Sequence, residues 1–245
     1  DLAVETMRRS GLGEESEHLL GLREKILALV PRGKVARLET DHEALLAAQG
    51  LAARPGPKPL IDRRIAAAIA EAIKACRMLE VTYQARDEAA PSVRRLAPYG
   101  LLTGIRRYLV ARPADDEETL VRLYVVERIG RADVTAEAFA RDPSFDLKAF
   151  AERSFGVFQR PEEYGEVVWR FSPRAAAHAR GFEFHPTQQT QEQPDGSLVV
   201  RFKASGHLEM AWHLYMWGAD VEVLEPPALR ALVAKHRRTD FPGLP

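Results

Sequence analysis

Cysteine is nearly absent from this 245-residue chain. Cys76 is the only one, which excludes a disulfide framework and any cysteine-built metal site and suits a reducing cytoplasm. No apolar run approaches the roughly 18 residues of a membrane span, and no signal peptide opens the chain. Transmembrane, secreted and disordered classes are therefore set aside, and a cytoplasmic protein is expected. Net charge is missing too: 35 Lys+Arg against 35 Asp+Glu give zero, so no whole-molecule field draws the chain to nucleic acid or anionic lipid. Lysine is scarce, with 28 Arg to 7 Lys. A GC-rich, alanine-rich composition accounts for most of that bias, but Arg also offers forked donors suited to phosphates and ring faces. No G-x-S-x-G, H-E-x-x-H, P-loop or G-x-G-x-x-G is found, so no catalytic residue is named and no enzyme is expected. His207 and His213 are not an i,i+4 ligand pair, and neither a metal nor a cofactor is expected.

Hydrophobic residues make up 46% of the sequence, enough for a sizeable core in one or two domains. Residues 1–30 read as helix, with Ser16 as a possible cap, and Arg54-Pro-Gly-Pro-Lys-Pro59 reads as a stiff linker. Asp62 to Arg77 is a strong helix with Ile61, Ile65, Ile69 and Ile73 in one stripe and Cys76 as an inert buried thiol. The period then falls to two. Strands are expected at Leu79–Tyr83, Val93–Leu102, Arg106–Ala111 and Leu120–Ile129, with Pro98 at an edge or bend, Thr103-Gly104 as a turn and Asp115–Glu118 as a solvated tip. Asp133–Pro161 reads as a connector with short helical pieces whose phenylalanines pack between domains. The rest reads as β-α-β-β-α-β-α, with a Pro194-Asp195-Gly196 turn and a basic helix end at Lys235–Arg238. Trp212 and Trp217 are expected in the core. The fold class is α+β: a helical linker (1–60), a small Sm-like or SH3-like β-barrel (61–135), a connector (136–164) and a ferredoxin-like domain (165–245). The chain opens on Asp1 rather than Met, so a further domain is expected upstream.

The chemistry sits in the predicted barrel. Arg94 to Arg112 holds five arginines and no acid, with Tyr99 and Tyr108 interleaved. The next strand adds Arg122, Tyr124 and Arg128, which alternation places on one face, opposite Val121, Leu123, Val125 and Ile129. Arg with Tyr on a barrel surface supplies phosphate contact plus base stacking. The same residues also allow a plainer reading, with Arg paired to the acids at 115–118 and Tyr filling a core.

Arg95-Leu-Ala-Pro-Tyr-Gly-Leu, Arg107-Tyr-Leu-Val-Ala and Arg122-Leu-Tyr-Val-Val-Glu-Arg-Ile129 resemble the WYL domain of bacterial transcription regulators. Val167–Phe171, His185-Pro-x-Gln188, Asp195-Gly-Ser-Leu198, Glu209–Gly218 and Val221–Pro226 are similar to the WCX extension of that family. The resemblance covers roughly residues 60–238, with Arg107 standing where the motif has Trp. It implies a sensor whose effector is single-stranded nucleic acid, in some members within a DNA-damage response. It also implies an upstream winged helix-turn-helix that binds duplex promoter DNA, and a homodimer with no membrane partner. The effector-binding set is expected to be Arg94, Arg95, Arg107, Tyr108, Arg122, Tyr124 and Arg128. The alternatives are a small anionic ligand such as a nucleotide, or an accessory module that regulates a nuclease or helicase by protein contact. In the dimer, Leu208, Trp212 and Tyr215 form a candidate contact face together with the 1–30 helix.

Overall fold

The computed structural model describes residues 13–30, 61–86, 88–104, 106–115 and 121–235, with Val4 and Met7. The predicted linker at 54–59, most of the acidic tip and the basic cluster after Lys235 lie outside these residues. The chain divides into a unit ending at Ala68 and a larger one beginning at Ile69. In the first, helix α1 (Gly13–Leu29) encloses Ser16 rather than starting on it, and Glu17 pairs with Arg63 at 3.1 Å. Helix α2 (Arg63–Ala75) buries Ile65, Ile69 and Ala72, an i, i+4, i+7 stripe. It stops one residue short of Cys76, which adopts the left-handed conformation (φ 48°) that ends many helices, usually on glycine. Cys76 is thus a half-buried turn residue, not a member of the buried stripe. Its carbonyl accepts the Phe139 N–H at 2.9 Å.

The second unit carries two antiparallel sheets, so the class is α+β as the sequence indicates. The first sheet contains β1 (Arg77–Tyr83), β2 (Ser92–Thr103), β3 (Arg107–Pro113), β4 (Arg122–Val125) and β5 (Ile129–Ala138), ordered β4-β3-β2-β1-β5. Leu79, Val81 and Tyr83 are buried while Glu80 is exposed, the alternation the sequence predicts for β1. The pairing of β2 with β3 slips between Pro98 and Gly100, a bulge where proline bends the strand. Two expectations fail here. The predicted strand to Ile129 breaks after Val125 into a 3-10 turn, Val126–Arg128. The segment from Ile129 to Ala138 is a strand that runs past Asp133, where the connector was expected to begin, and it pairs with β1 with two register shifts.

Both faces of this sheet are covered. Leu79, Val81, Leu96, Leu109 and Tyr124 are buried. On the other side Met78, Ala97, Tyr99 and Val110 pack with Phe139, Phe145, Leu147 and Phe150. These lie at the end of β5 and around the short helix α3 (Leu147–Ala151), which Asp146 caps through the Ala149 N–H. Of the connector phenylalanines, Phe139, Phe145 and Phe150 thus pack on the first sheet, while Phe155 packs against the core of the second.

The second sheet contains β6 (Gly165–Phe171), β7 (Gln189–Glu192), β8 (Leu198–Ala204) and β9 (Val221–Glu225), ordered β7-β8-β6-β9. With α4 (Pro173–Ala179), α5 (His207–Tyr215) and α6 (Pro227–Ala234), the chain runs β-α-β-β-α-β-α, as predicted. Ser172 caps α4 through the Ala175 N–H, and Gly196 takes φ 82° in the predicted hairpin turn. Trp169, Phe171, Phe202, Met210, Leu214 and Trp217 fill the core. Trp212 does not. It is 48% exposed, beside exposed Leu208 and Tyr215.

His213, on the inner side of α5, accepts the Trp217 Nε1–H at 3.1 Å, which requires a neutral ring. Burial holds its pKa down at about 4, against about 6.5 in an unfolded chain. Between those values the unfolded state binds the extra proton. The stability is therefore fully present above pH 6.5 and is lost as pH falls through the window, up to about 3 kcal/mol by pH 4. Burial lowers the His185 pKa as well, so it acts in the same direction. Urea unfolding at pH 7 and pH 4.5 is expected to show a smaller acid loss for His213→Gln than for the unsubstituted chain. Equal acid losses would count against a buried neutral His213.

Candidate nucleic-acid interface

The seven residues singled out in the sequence do not form one surface. Arg94 and Tyr124 come together. The Arg94 guanidinium lies 4.8 Å from the Tyr83 ring and 5.9 Å from the Tyr124 ring, and pairs with Glu88 at 2.5 Å. Tyr83 and Tyr124 meet edge to face at 5.3 Å, and the Tyr83 hydroxyl accepts the Val125 N–H. Arg95 pairs with Glu137 on β5. Arg107 is only 6% exposed, and its N–H donates to Glu127 Oε1 at 3.2 Å. The arginine that replaces the motif's Trp is therefore buried.

Tyr108 is buried and packs edge to face on Phe158 at 6.1 Å, which meets Trp212 at 5.8 Å. Burial, then the Glu209 carboxylate, pushes the Tyr108 phenol above its ordinary pKa, and burial does the same for Tyr124. Both are uncharged at neutral pH. Strand β4 keeps Arg122 exposed and Val121 and Leu123 on a packed side, as the sequence indicates, but Tyr124, expected outward with Arg122, is buried. Tyr124 and Val126 are buried, while Leu123 and Val121 pack on the phenylalanine side. Glu209 holds this region from α5: its Oε2 accepts the N–H groups of Val157 and Phe158, each at 2.7 Å.

The cations that do converge come from loops as much as from strands. A cleft of about 540 Å³ along β4 is lined by Arg86, Arg122 and Arg160 with apolar Leu123, Phe158 and Leu208. Glu163, its acid, pairs with Arg160 at 3.7 Å and accepts the Gly206 and His207 N–H groups. Arg86 also lines a neighbouring depression with Gln84, Arg128 and Gly130. On the other side a second cleft of about 540 Å³ shares Val121, Gln159 and Pro161 with the first. The three depressions are thus neighbours with shared walls.

Of the predicted set, Arg122 and Arg128 line this path; Arg86, Arg160 and Arg153 were not identified from sequence. Nothing local marked them, because Arg86 lies in a turn after β1 and Arg160 precedes the 3-10 turn Pro161–Glu163. Only the tertiary fold brings them beside β4. Among the described residues no cluster of three or more His, Cys, Asp or Glu is placed to hold a metal, and no helix is long and apolar enough to cross a membrane.

No curated protein matches the chain. Among solved structures it is similar to proteasome accessory factor B/C (PafBC) of Arthrobacter aurescens, at 18% identity and a TM-score of 0.35, covering 77% of this chain and 29% of that one. It is also similar to a CRISPR Cas-related protein, at 13% identity and a TM-score of 0.50, covering 70% of this chain and 49% of that one. The chain thus spans under a third of the first and about half of the second. Residues 64–134 match the WYL domain and residues 163–238 the WCX domain, so the chain belongs to the WYL-domain proteins that carry a WCX extension.

Proposed function

We propose that this chain is the effector-sensing region of a transcription regulator, and that its effector is a single-stranded nucleic acid of the kind that DNA damage exposes. One observation carries the reading: Arg86 lines both the cleft that holds Arg122 and Arg160 and the depression that holds Arg128. Guanidinium groups in neighbouring depressions suit a polyanion, and the apolar lining at Leu123, Phe158 and Leu208 suits unpaired bases. The WYL and WCX domains support the regulatory role through the resemblance described above. A second reading is a small anionic ligand such as one nucleotide, favoured by the size of the β4 cleft, about 540 Å³, which is ordinary for a small-molecule site.

Competition against a labelled single-stranded oligonucleotide separates the two. Unlabelled single strand is expected to displace the probe at lower concentration than either duplex of the same sequence or mononucleotide, because paired bases are not free to splay and a lone nucleotide engages one cleft. Displacement by mononucleotide at the oligonucleotide's concentration would replace the single-strand reading with the small anion.

A further inference from the structure

We propose that the second cleft, between the first sheet and the connector, is a nucleobase pocket, so that the effector is held in two parts: phosphates on the arginines along β4 and an unstacked base beyond the Gln159–Pro161 wall. The inference rests on the β4 cleft being the phosphate site. The two clefts are neighbours of similar volume but different chemistry. The first presents three guanidinium groups. The second is lined by rings, with Tyr99, Phe145, Phe150 and Tyr164 around it and Arg112 and Arg153 on its polar side.

The ring wall is built, not incidental. Tyr99 meets Phe145 edge to face at 4.8 Å, and Phe145 meets Phe150 at 5.6 Å. The Arg141 guanidinium braces Tyr99 by donating to its carbonyl at 2.8 Å and lying 5.3 Å from its ring. Arg153 lies 4.9 Å from the Tyr164 ring, with Lys203 Nζ at 5.1 Å. That leaves a planar cation stacked at the rim, where a base can slide against it.

The acids at this site are engaged. Asp142 accepts the N–H and O–H of Ser144, and Asp146 caps α3. Gln159 stands in the shared wall with its Nε2 donating to the Phe150 carbonyl at 2.9 Å. That leaves its Oε1 as an acceptor and its second Nε2–H as a donor, a pair matched to the hydrogen-bonding edge of a base. A volume of about 540 Å³ admits such a base with room for its sugar.

Ala149 lines this cleft but not the β4 cleft, so Ala149→Trp on the full chain fills the pocket while leaving the phosphate arginines intact. The probes are labelled oligo(dT) and an abasic oligomer with the same number of phosphates. The unsubstituted chain is expected to bind oligo(dT) roughly ten-fold or more tighter than the abasic oligomer, the scale of one stacked base. Ala149→Trp is expected to bind the abasic oligomer unchanged and to lose most of that preference, the remainder coming from Leu123, Phe158 and Leu208 in the β4 cleft. Arg153→Ala, an exposed substitution that leaves the packed rings in place, is expected to reduce the preference several-fold and serves as the second variant should Ala149→Trp fail to fold. If oligo(dT) and the abasic oligomer bind the unsubstituted chain equally, the pocket is wrong and the phosphate cleft stands. If the preference survives undiminished in either folded variant, the base sits elsewhere. If neither oligomer binds, the functional reading itself is wrong.

Discussion

Trp217→Ala is expected to lower the unfolding free energy by about 3–5 kcal/mol, the range for removing a fully buried large aromatic, whereas Trp212→Ala is expected to change it by less than about 1 kcal/mol. Trp217 has no exposed surface, and Trp212 is 48% exposed, although both come from the α5 region. The Trp217 ring packs on Phe171 at 4.7 Å and on Phe182 at 5.7 Å. Its removal opens a cavity and also takes the donor from His213 Nε2, leaving a partly buried acceptor to be satisfied another way. Urea unfolding followed by far-UV circular dichroism reads both variants without relying on tryptophan emission. Similar losses from the two substitutions would mean that the helix packs in a different phase.

That phase is what the sequence leaves open. Met210, Leu214 and Trp217 recur at i, i+4, i+7, and so do Leu208, Trp212 and Tyr215. Each set is an apolar stripe wide enough to face a core; both tryptophans were expected inside, and the second set was also the candidate dimer contact face. The fold buries the first and exposes the second. The same ambiguity touches β4: Leu123 packs as expected, but Tyr124 on the opposite side is buried too, because alternation does not reveal that both faces of a sheet are covered. By contrast, β1 and the hairpin of the second sheet were legible, because there polar residues alternate with apolar ones or a Pro-Asp-Gly turn intervenes. Strand β5 was missed for the opposite reason: its Gly130, Ala132 and Ala136 offer no apolar alternation, and it is held by pairing with β1 rather than by a buried face. The candidate site was legible as chemistry but not as a place. Arginine and aromatic residues do converge, yet the converging set is drawn from turns and the connector, where side-chain direction depends on contacts distant in sequence.

The arginines themselves make the last distinction. If the single strand follows the path of Arg128, Arg86, Arg122 and Arg160, neutralising about four phosphates gives a slope of log affinity against log salt near −2.8, at roughly −0.7 per single-strand contact. Affinity then falls about 50-fold between 50 and 200 mM salt. Replacing Arg86 and Arg160 together with alanine removes two contacts. The slope is then expected near −1.4, with a fall of only about 7-fold over the same range. Arg94 and Arg95 are the internal comparison. They belong to the densest basic stretch of the sequence, but Glu88 and Glu137 pair with them more closely than Glu163 meets Arg160 at 3.7 Å, and their alanine variants are expected to leave the slope unchanged. Arg107 makes a poor probe, since at 6% exposure its removal strikes the packing beside Glu127 before it reports on a ligand. Titrations at four or more salt concentrations check all of this on one plot. A slope that responds to Arg94 and Arg95 but not to Arg86 and Arg160 would move the phosphate path off the β4 cleft and onto the strands.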